Sequence, residues 1–512
     1  MYLNMSDSIS NNKRIAKNTI MLYMRTLFVM LITLYTSRVI LQSLGVEDYG
    51  IYNVVGGIIT MFAFISSTLS TASQRYITFE LGKGTDGNMN KVFSICLLLH
   101  IVLALIIALL AEPIGLWFMH NKLLIPTERL NAAVWVFQFT IVSMVIMFLS
   151  VPFNALIVAY EKMNAFAMIS IVDAALRLII AYAIMLCSLD KLIIYAFLMF
   201  VAQMTIQLCY MTYCYCKFPE SHYTFHWDKA LVKEMGNFAS WSVFGNLAFV
   251  TYTQGLNLLL GTFFLPVVNA ASGIAVQVQS AVNNFVNSFQ TAINPQITKN
   301  YAAGNISEMI SLVFRSSRFS FYLLMFMAIP ILLETEILLK MWLKTVPDNT
   351  VIFLRIILIT TLINSIANPL IISVKATGNV KKYESTVGGL MLLILPISYA
   401  FLKLGFPAVT VFVVHLLMEC IAMICRILIT RNLIHFSIRF YFSEVFLGIL
   451  VVGLTSLVVP SLIVYMMPQS YVRLFFVCGI SVLCSGVSVV AFGLTKGEKQ
   501  FFYNKVKQVL HL

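Results

Sequence analysis

The chain has 512 residues, of which 60% are hydrophobic and only 11% are charged. Soluble domains carry about 25% charged residues, so this apolar excess predicts a protein whose solvent is largely lipid. The formal net charge of +13 does not indicate nucleic-acid binding, because the basic residues are scattered singly and form no basic face. We therefore expect no nucleic-acid partner.

The apolar segments predict an all-α membrane protein with about fourteen transmembrane helices, because a spanning helix needs about 20 mainly apolar residues. The eighth segment is the least apolar of them. In chain order the predicted helices cover residues 19–42, 50–72, 92–112, 131–155, 165–187, 192–216, 236–262, 268–293, 316–339, 350–373, 384–404, 407–429, 443–466 and 472–495.

The lysines and arginines between these helices predict the orientation of the chain. Segments on the same side as the N-terminus hold about three times as many basic residues as those on the other side, and such an excess marks the cytoplasmic side. An even number of helices places the C-terminal segment on that side too. We therefore expect both termini in the cytoplasm, and the net charge follows from topology without an anionic ligand.

The chain also contains a weak internal repeat. Residues 50–93 align with residues 271–314 without a gap, at an offset of 221 residues or six predicted helices. Such repeats are typical of transporters in which two similarly oriented bundles enclose a cavity. The repeat predicts these divisions: a cytoplasmic segment 1–18, a six-helix bundle 19–216, a cytoplasmic linker 217–235, a second bundle 236–429, helices 13 and 14 at 443–495, and a cytoplasmic tail 496–512.

Several charged residues fall inside predicted helices, where a charge at the bilayer centre costs about 2.5–3.5 kcal/mol. Arg25 and Arg38 in helix 1 either extend to the membrane surfaces or face a cavity. Asp173 and Arg177 are four residues apart, so they either form an internal ion pair or line a cavity. Arg355 in helix 10 has no acid nearby in its own helix, so its partner comes from elsewhere or from a substrate.

Two further groups of polar residues are candidates for a functional role. His415 and Glu419 in helix 12 are four apart and fit either a structural hydrogen bond or a proton-coupled carboxylate. Helices 7 and 8 carry more amides than helix–helix contacts require, which favours an aqueous wall that binds hydroxyl-rich cargo over simple packing. The candidates in these two helices are Asn246, Asn257, Gln277, Asn284 and Asn287.

Catalytic and cofactor motifs are not evident in the sequence. The cysteine and histidine spacings fit no standard zinc site, and the glycine pairs lack the context of a nucleotide-binding loop. We therefore expect no bound metal, no cofactor and no enzymatic activity.

Short motifs resemble bacterial polysaccharide exporters. They are Leu44-Gly45 followed by Tyr49-Gly50 and Tyr52, Gln74-Arg75-Tyr76 through Gly82-Lys83-Gly84, and Ala376-Thr377-Gly378 before Lys381. With the fourteen-helix plan, they make the chain similar to Wzx-type O-antigen or capsule flippases of the multidrug/oligosaccharidyl-lipid/polysaccharide (MOP) exporter superfamily.

The resemblance implies translocation of undecaprenyl-pyrophosphate-linked oligosaccharide units across the bacterial inner membrane, from the cytoplasmic to the periplasmic leaflet. Membrane lipids and other polysaccharide assembly proteins are the further partners it implies. By position, Arg25, Arg38, Arg177 and Arg355 are the candidates to receive the pyrophosphate. Asp173, His415 and Glu419 are the candidates for ion coupling.

Two other classes of membrane protein compete with this interpretation. A cation-coupled drug antiporter of the same superfamily would favour carboxylates in the cavity, whereas the interior charges here are mainly cationic. A polysaccharide polymerase, ligase or glycosyltransferase would carry a large external loop, whereas the longest predicted external loop, 113–130, is short.

Overall fold

The structure is a computed structural model that describes residues 2–60, 63–121, 125–225, 227–264, 266–343 and 346–500. Those residues form helices joined by short turns, and they contain no strand. The chain divides into two compact units, Met1–Asn246 and Leu247–Leu512. The boundary between the units falls inside one long helix.

The first unit contains six complete helices and the beginning of a seventh. They are α1 (Tyr2–Thr60), α2 (Ala63–Gly82), α3 (Met89–Asn121), α4 (Thr127–Ala159), α5 (Met163–Met185), α6 (Lys191–Lys217) and α7 (Lys229–Phe263).

The second unit contains the end of α7 and nine further helices, of which α14 is a single turn that leads into α15. They are α8 (Pro266–Ala302), α9 (Ile306–Leu333), α10 (Thr335–Trp342), α11 (Thr350–Thr377), α12 (Lys381–Lys403), α13 (Val409–Ile434), α14 (Ile438–Tyr441), α15 (Leu447–Met466) and α16 (Tyr471–Ser488).

Ten helical segments among the described residues are long and apolar enough to cross a membrane. Together they make the chain a multi-pass membrane protein. The four other long helices, α1, α2, α7 and α8, are not among these ten. α8 corresponds to the predicted eighth helix, which the sequence already marked as the least apolar.

Apolar side chains from α3, α4 and α6 form the main core of the first unit, around Phe137, Phe148 and Leu192. A smaller core joins α1, α5 and α6 around Ile40, Ala181 and related side chains. α4 packs against α2, α3 and α6, so it is the central helix of this unit.

α11 has the same central place in the second unit. It packs against α8, α9 and α13, and its side chains Phe353, Leu354 and Leu358 are completely or almost completely buried. α12 packs on α13, whereas α15 and α16 pack on each other and on α9.

A sharp kink divides α1 into two helical parts. Gly45 has φ 81° and ψ 170°, a backbone conformation that only glycine adopts readily. The kink lies between the predicted helices 1 and 2. The sequence predicted a connecting loop there, but a single non-helical residue makes the connection.

Most helices are longer than predicted, because their polar ends continue the helical backbone beyond the apolar stretch. α8 ends at Ala302 where the sequence predicted residue 293, and α9 begins at Ile306 where it predicted residue 316. The prediction of one helix over 316–339 is wrong: α9 contains Pro330 and ends at Leu333, and a separate helix α10 follows Glu334.

Two ion pairs attach the C-terminal part of the chain to α9. Arg473, at the start of α16, donates to the Glu334 carboxylate just beyond the end of α9, at 2.7 and 2.9 Å. Arg318, near the middle of α9, donates to Glu498 at 3.1 Å and to the Gly493 carbonyl at 3.4 Å. The α15–α16 hairpin is therefore an integral part of the second unit.

Candidate substrate-binding site

Three of the predicted charged residues meet where α1 and α5 pack together. The Arg177 Nε donates to both carboxylate oxygens of Asp173 at 3.0 Å. The Arg25 guanidinium lies 4.7 Å from the centre of the Phe166 ring and interacts electrostatically with Asp173 and with Tyr210 of α6. We call Arg25, Asp173 and Arg177 the arginine cluster.

The arginine cluster carries one more positive than negative charge. The Arg177 and Asp173 side chains remain 41% and 30% exposed, so other groups can reach this pair. The Arg25 Nε is buried and has no hydrogen-bond partner among the described residues. An anion in the cluster would supply that partner and would form charge-assisted bonds with both guanidinium groups.

Four tyrosines of α1, α5 and α6 form two pairs, one of which interacts with the cluster. Tyr52 and Tyr195 rings lie 4.6 Å apart, and both tyrosines interact electrostatically with Arg177. The Tyr35 and Tyr182 hydroxyls are hydrogen-bonded at 2.5 Å between α1 and α5. Aromatic faces with polar hydroxyls suit sugar rings, which are apolar on their faces and polar at their edges.

The polar residues of α8 divide between two faces of the helix. Two glutamines point inward: Gln279 donates to Thr361 at 2.9 Å, and Gln290 donates to Ser320 at 3.2 Å. These two bonds attach α8 to α11 and α9 and account for part of its polarity. The spacing of three and four residues predicts that Gln277, Ser280, Asn284, Asn287 and Thr291 share one other face of α8. The first four of them are exposed and Thr291 is half-buried; we call the four exposed residues the amide stripe.

The two predicted candidates on α7 have different surroundings. Asn257 is exposed in the second unit. Asn246 is in the first unit, where its side-chain amide donates to the Thr68 hydroxyl of α2. The structure thus gives Asn246 a helix–helix contact, and its role in substrate binding stays a prediction.

His415 and Glu419 have separate partners. The His415 Nε2 and the Tyr252 hydroxyl are 3.1 Å apart, which joins α13 to α7. Glu419, only 2% exposed, forms a hydrogen-bonded ion pair with Arg426 two turns further along α13. Arg426 also donates to the Tyr383 hydroxyl of α12 at 3.3 Å. Ion coupling by Glu419 or His415 stays a prediction.

The remaining two arginines are not brought into the arginine cluster. Arg355 is exposed and donates to the Leu332 carbonyl and the Thr335 hydroxyl at 3.2 and 3.3 Å, so it binds the turn between α9 and α10. The side chain of Arg38 lies outside the part of the chain that the structure describes.

Sequence reasoning missed two residues of these sites, Tyr210 and Arg426. Arg426 lies two turns beyond Glu419 on α13, and this i, i+7 spacing was the available signal. Tyr210 gave no signal, because its approach to Arg25 depends on the packing of α6. Among the described residues, no group of three histidine, cysteine, aspartate or glutamate side chains could hold a metal ion.

A model of the family described as "polysaccharide biosynthesis protein" matches residues 15–301, more than half of the chain. The chain belongs to the polysaccharide biosynthesis protein family. The resemblance of its sequence to Wzx-type flippases of the MOP superfamily is thereby confirmed at the level of the family. A comparison with curated protein sequences finds no significant match.

Solved structures show that this family member has the fold of MATE transporters. A crystal structure of MATE in the bent conformation matches with a TM-score of 0.72 at 13% identity, covering 83% of this chain and 96% of that one. An outward-facing multidrug resistance MATE transporter of the MOP superfamily matches with a TM-score of 0.71, at the same identity and coverage.

A third structure comes from Pyrococcus furiosus Vc1 and is described as a MOP superfamily transporter whose binding pocket has reversed polarity. It matches with a TM-score of 0.68 at 13% identity, covering 83% of this chain and 96% of that one. At these identities the likeness establishes the fold alone. The solved relatives are transporters rather than enzymes.

Proposed function

We propose that this protein is a flippase for surface polysaccharide biosynthesis. It moves undecaprenyl-pyrophosphate-linked oligosaccharide repeat units from the cytoplasmic to the periplasmic leaflet of the bacterial inner membrane by alternating access. Family membership supports a role in polysaccharide biosynthesis, and the arginine cluster is the observation that carries the assignment to a phosphate-linked cargo.

The arginine cluster suits a pyrophosphate for reasons of charge and geometry. Guanidinium groups bind phosphate oxygens in pairs, and two of them interact with Asp173. Asp173 neutralises only one of the two arginines, so the cluster still attracts an anion. The same carboxylate lowers the free-energy cost of placing the cluster in the membrane. A cationic drug would find the opposite charge balance here.

The sugar part of the cargo needs hydrogen-bonding groups, and the amide stripe of α8 offers them. Its four side chains are exposed along one face, so they are available to hydroxyl groups. We propose that the stripe and Asn257 contact the oligosaccharide while the polyprenyl chain stays among the membrane lipids.

We further propose that the chain crosses the membrane fourteen times, with both termini in the cytoplasm and six-helix bundles at 19–216 and 236–429. The kink at Gly45 supports two crossings within α1 and α2, and the excess of basic residues on one side supports the orientation. Labelling single cysteines from outside the cell tests this: Lys191→Cys should react with an impermeant thiol reagent, and Lys162→Cys should not.

Deletion of the gene in its native strain tests the proposed function. We expect lipid-linked repeat units to accumulate inside the cell and surface polysaccharide to disappear, with both effects reversed by the wild-type gene. Intact surface polysaccharide together with new drug sensitivity would contradict the flippase and favour a drug antiporter.

Single substitutions in the arginine cluster test the site. We expect Arg177→Ala and Arg25→Ala each to lower polysaccharide export at least about 10-fold, because each removes a charge-assisted bond worth about 1.5–3 kcal/mol. Lys340→Ala is the matched control, since Lys340 forms an exposed pair with Glu336 on α10 and should leave export unchanged. Undiminished export by both cluster variants, at wild-type protein levels, would remove the cluster from the site.

A further inference from the structure

The connection between α6 and α7 is bound along its length to the start of α3. The Asn90 side-chain amide donates to the carbonyls of Glu220 and His222 at 3.3 and 2.5 Å. The Thr224 amide donates to the Ser94 hydroxyl at 3.1 Å. The predicted linker 217–235 is thus held in place by specific hydrogen bonds.

Asp228 continues this attachment at the first turn of α7. Its carboxylate pairs with Lys91 of α3 at 2.6 Å and accepts from the backbone amides of Ala230 and Leu231. The Lys91 ammonium and these two amides hold the pKa of Asp228 below its usual range. Asp228 is therefore ionised at neutral pH, and the contact with Lys91 is present under physiological conditions.

The first half of α7 is attached in turn to α2. Tyr76 donates to the Glu234 carboxylate at 3.2 Å, and the Arg75 guanidinium lies 3.7 Å from the same carboxylate. Arg75 also stacks between aromatic rings, 4.4 Å from the centre of Tyr76 and 5.6 Å from that of Phe238 on α7. Higher along both helices, Asn246 donates to Thr68.

The ion pairs of this attachment are partly exposed, so they are individually weak. The Glu234 side chain is 61% exposed, and the Lys91 and Asp228 side chains are 33% and 30% exposed. Such pairs contribute about 0–1 kcal/mol each. The Arg75 side chain is only 6% exposed, so its cation–π contacts are stronger, at about 2 kcal/mol. The series holds one conformation, yet each contact is small enough to be broken within a transport cycle.

The attached helix, α7, continues from the first unit into the second. α7 is one continuous helix, Lys229–Phe263, and the boundary between the two units falls between Asn246 and Leu247. Its first half belongs to the first unit through the contacts above, whereas its second half belongs to the other unit. We therefore expect a transport cycle to bend α7 near this boundary or to detach its first half from α2.

We propose that residues 218–225 and 227–246 form a latch that detaches from α2 and α3 in each transport cycle. This proposal rests on the proposed function for its link to transport, and it assigns a role to the Gln74-Arg75-Tyr76 motif outside the arginine cluster. In the alternative, the segment stays attached and α7 bends at Asn246.

Reversible crosslinking decides between these two mechanisms. The variant Thr68→Cys/Asn246→Cys, reconstituted in liposomes with a fluorescent lipid-linked oligosaccharide, is joined by a short bis-methanethiosulfonate reagent. We expect translocation to fall at least about 10-fold and to recover when dithiothreitol cleaves the crosslink. The two single-cysteine variants, treated identically, control for reaction at the native cysteines. Undiminished translocation by the fully crosslinked protein would overturn the latch.

A distance measurement tests detachment without reference to transport. Spin labels at Lys83→Cys on the α2–α3 turn and Lys233→Cys on α7 occupy exposed positions. We expect two distance populations in lipid, with the longer one diminished in the crosslinked Thr68→Cys/Asn246→Cys background. A single short distance with and without lipid-linked oligosaccharide would overturn the proposal. If the uncrosslinked protein fails to translocate, the proposed function fails and this measurement alone decides the latch.

Discussion

Individual arginines have different roles in this protein, and their surroundings distinguish them. Arg177 and Arg25 belong to a partly exposed site that carries one more positive than negative charge. Arg473 and Arg426, by contrast, are buried and matched by the carboxylates of Glu334 and Glu419. A buried matched pair has no capacity for a substrate, because breaking it would leave an uncompensated charge in a medium of low dielectric constant.

The Arg473–Glu334 pair provides a stability test at the residue scale. The Glu334 side chain is completely buried, so Arg473→Ala should leave its charge unpaired and destabilise the protein by about 3–5 kcal/mol. The double variant Arg473→Met/Glu334→Leu should recover most of that loss, because it removes both charges and keeps the volume. Thermal unfolding in detergent measures the difference.

The exposed pair between Glu336 and Lys340 is the control for the Arg473 and Glu334 variants. It lies on the neighbouring helix α10, and Glu336→Ala should change stability by less than about 1 kcal/mol. Equal stability of the Arg473→Ala variant and the double variant would contradict the argument.

The kink in α1 provides the first test at the scale of an element. A Cβ at Gly45 would meet no atom within 4 Å, so the only cost of Gly45→Ala is backbone strain, about 1–3 kcal/mol. Gly50→Ala is the matched control, because Gly50 is equally uncrowded and lies in ordinary helical backbone. We expect a lower unfolding temperature for Gly45→Ala alone. An unchanged temperature for both variants would show that the kink is not strained.

The two polar faces of α8 provide the second test at this scale. Asn287→Ala on the amide stripe should lower export with little effect on stability, because its side chain is exposed. Gln290→Ala should instead lower stability by about 1–2 kcal/mol, because it removes bonds to Ser320 and to the Ser365 carbonyl. Export per folded molecule and unfolding temperature, measured for both variants, separate the two effects. The reverse pattern would assign the stripe to packing.

The sequence predicted the helices better than it predicted which side chains from different helices contact each other, for a physical reason. Apolar stretches and i, i+4 spacings are local, so the helices and the Asp173–Arg177 pair could be found by inspection. The contact of Arg25 with Tyr210 and the pair between Arg473 and Glu334 join residues far apart in the chain. They depend on how helices pack, which hydropathy does not encode. Helix ends were underestimated because a polar turn continues a helix as readily as an apolar one.

At the scale of the whole molecule, the candidate groups lie on helices near the start of each predicted bundle. α1 contributes Arg25 to the arginine cluster, and α8 carries the amide stripe. The predicted repeat therefore leads us to expect polar groups at corresponding places of the two bundles.

The attachment of α15 and α16 to α9 has a consequence for how the protein is made. α9 leaves the ribosome with Arg318 and with Glu334 just beyond its end, but their partners Glu498 and Arg473 are synthesised more than a hundred residues later. Until then, α9 carries the Arg318 charge near its middle and the Glu334 charge just beyond its end without these partners. A chain truncated before α15 would keep that defect permanently, so quality-control proteases should remove it even though both predicted six-helix bundles are complete. Synthesis of residues 447–498 thus supplies the partners that α9 needs.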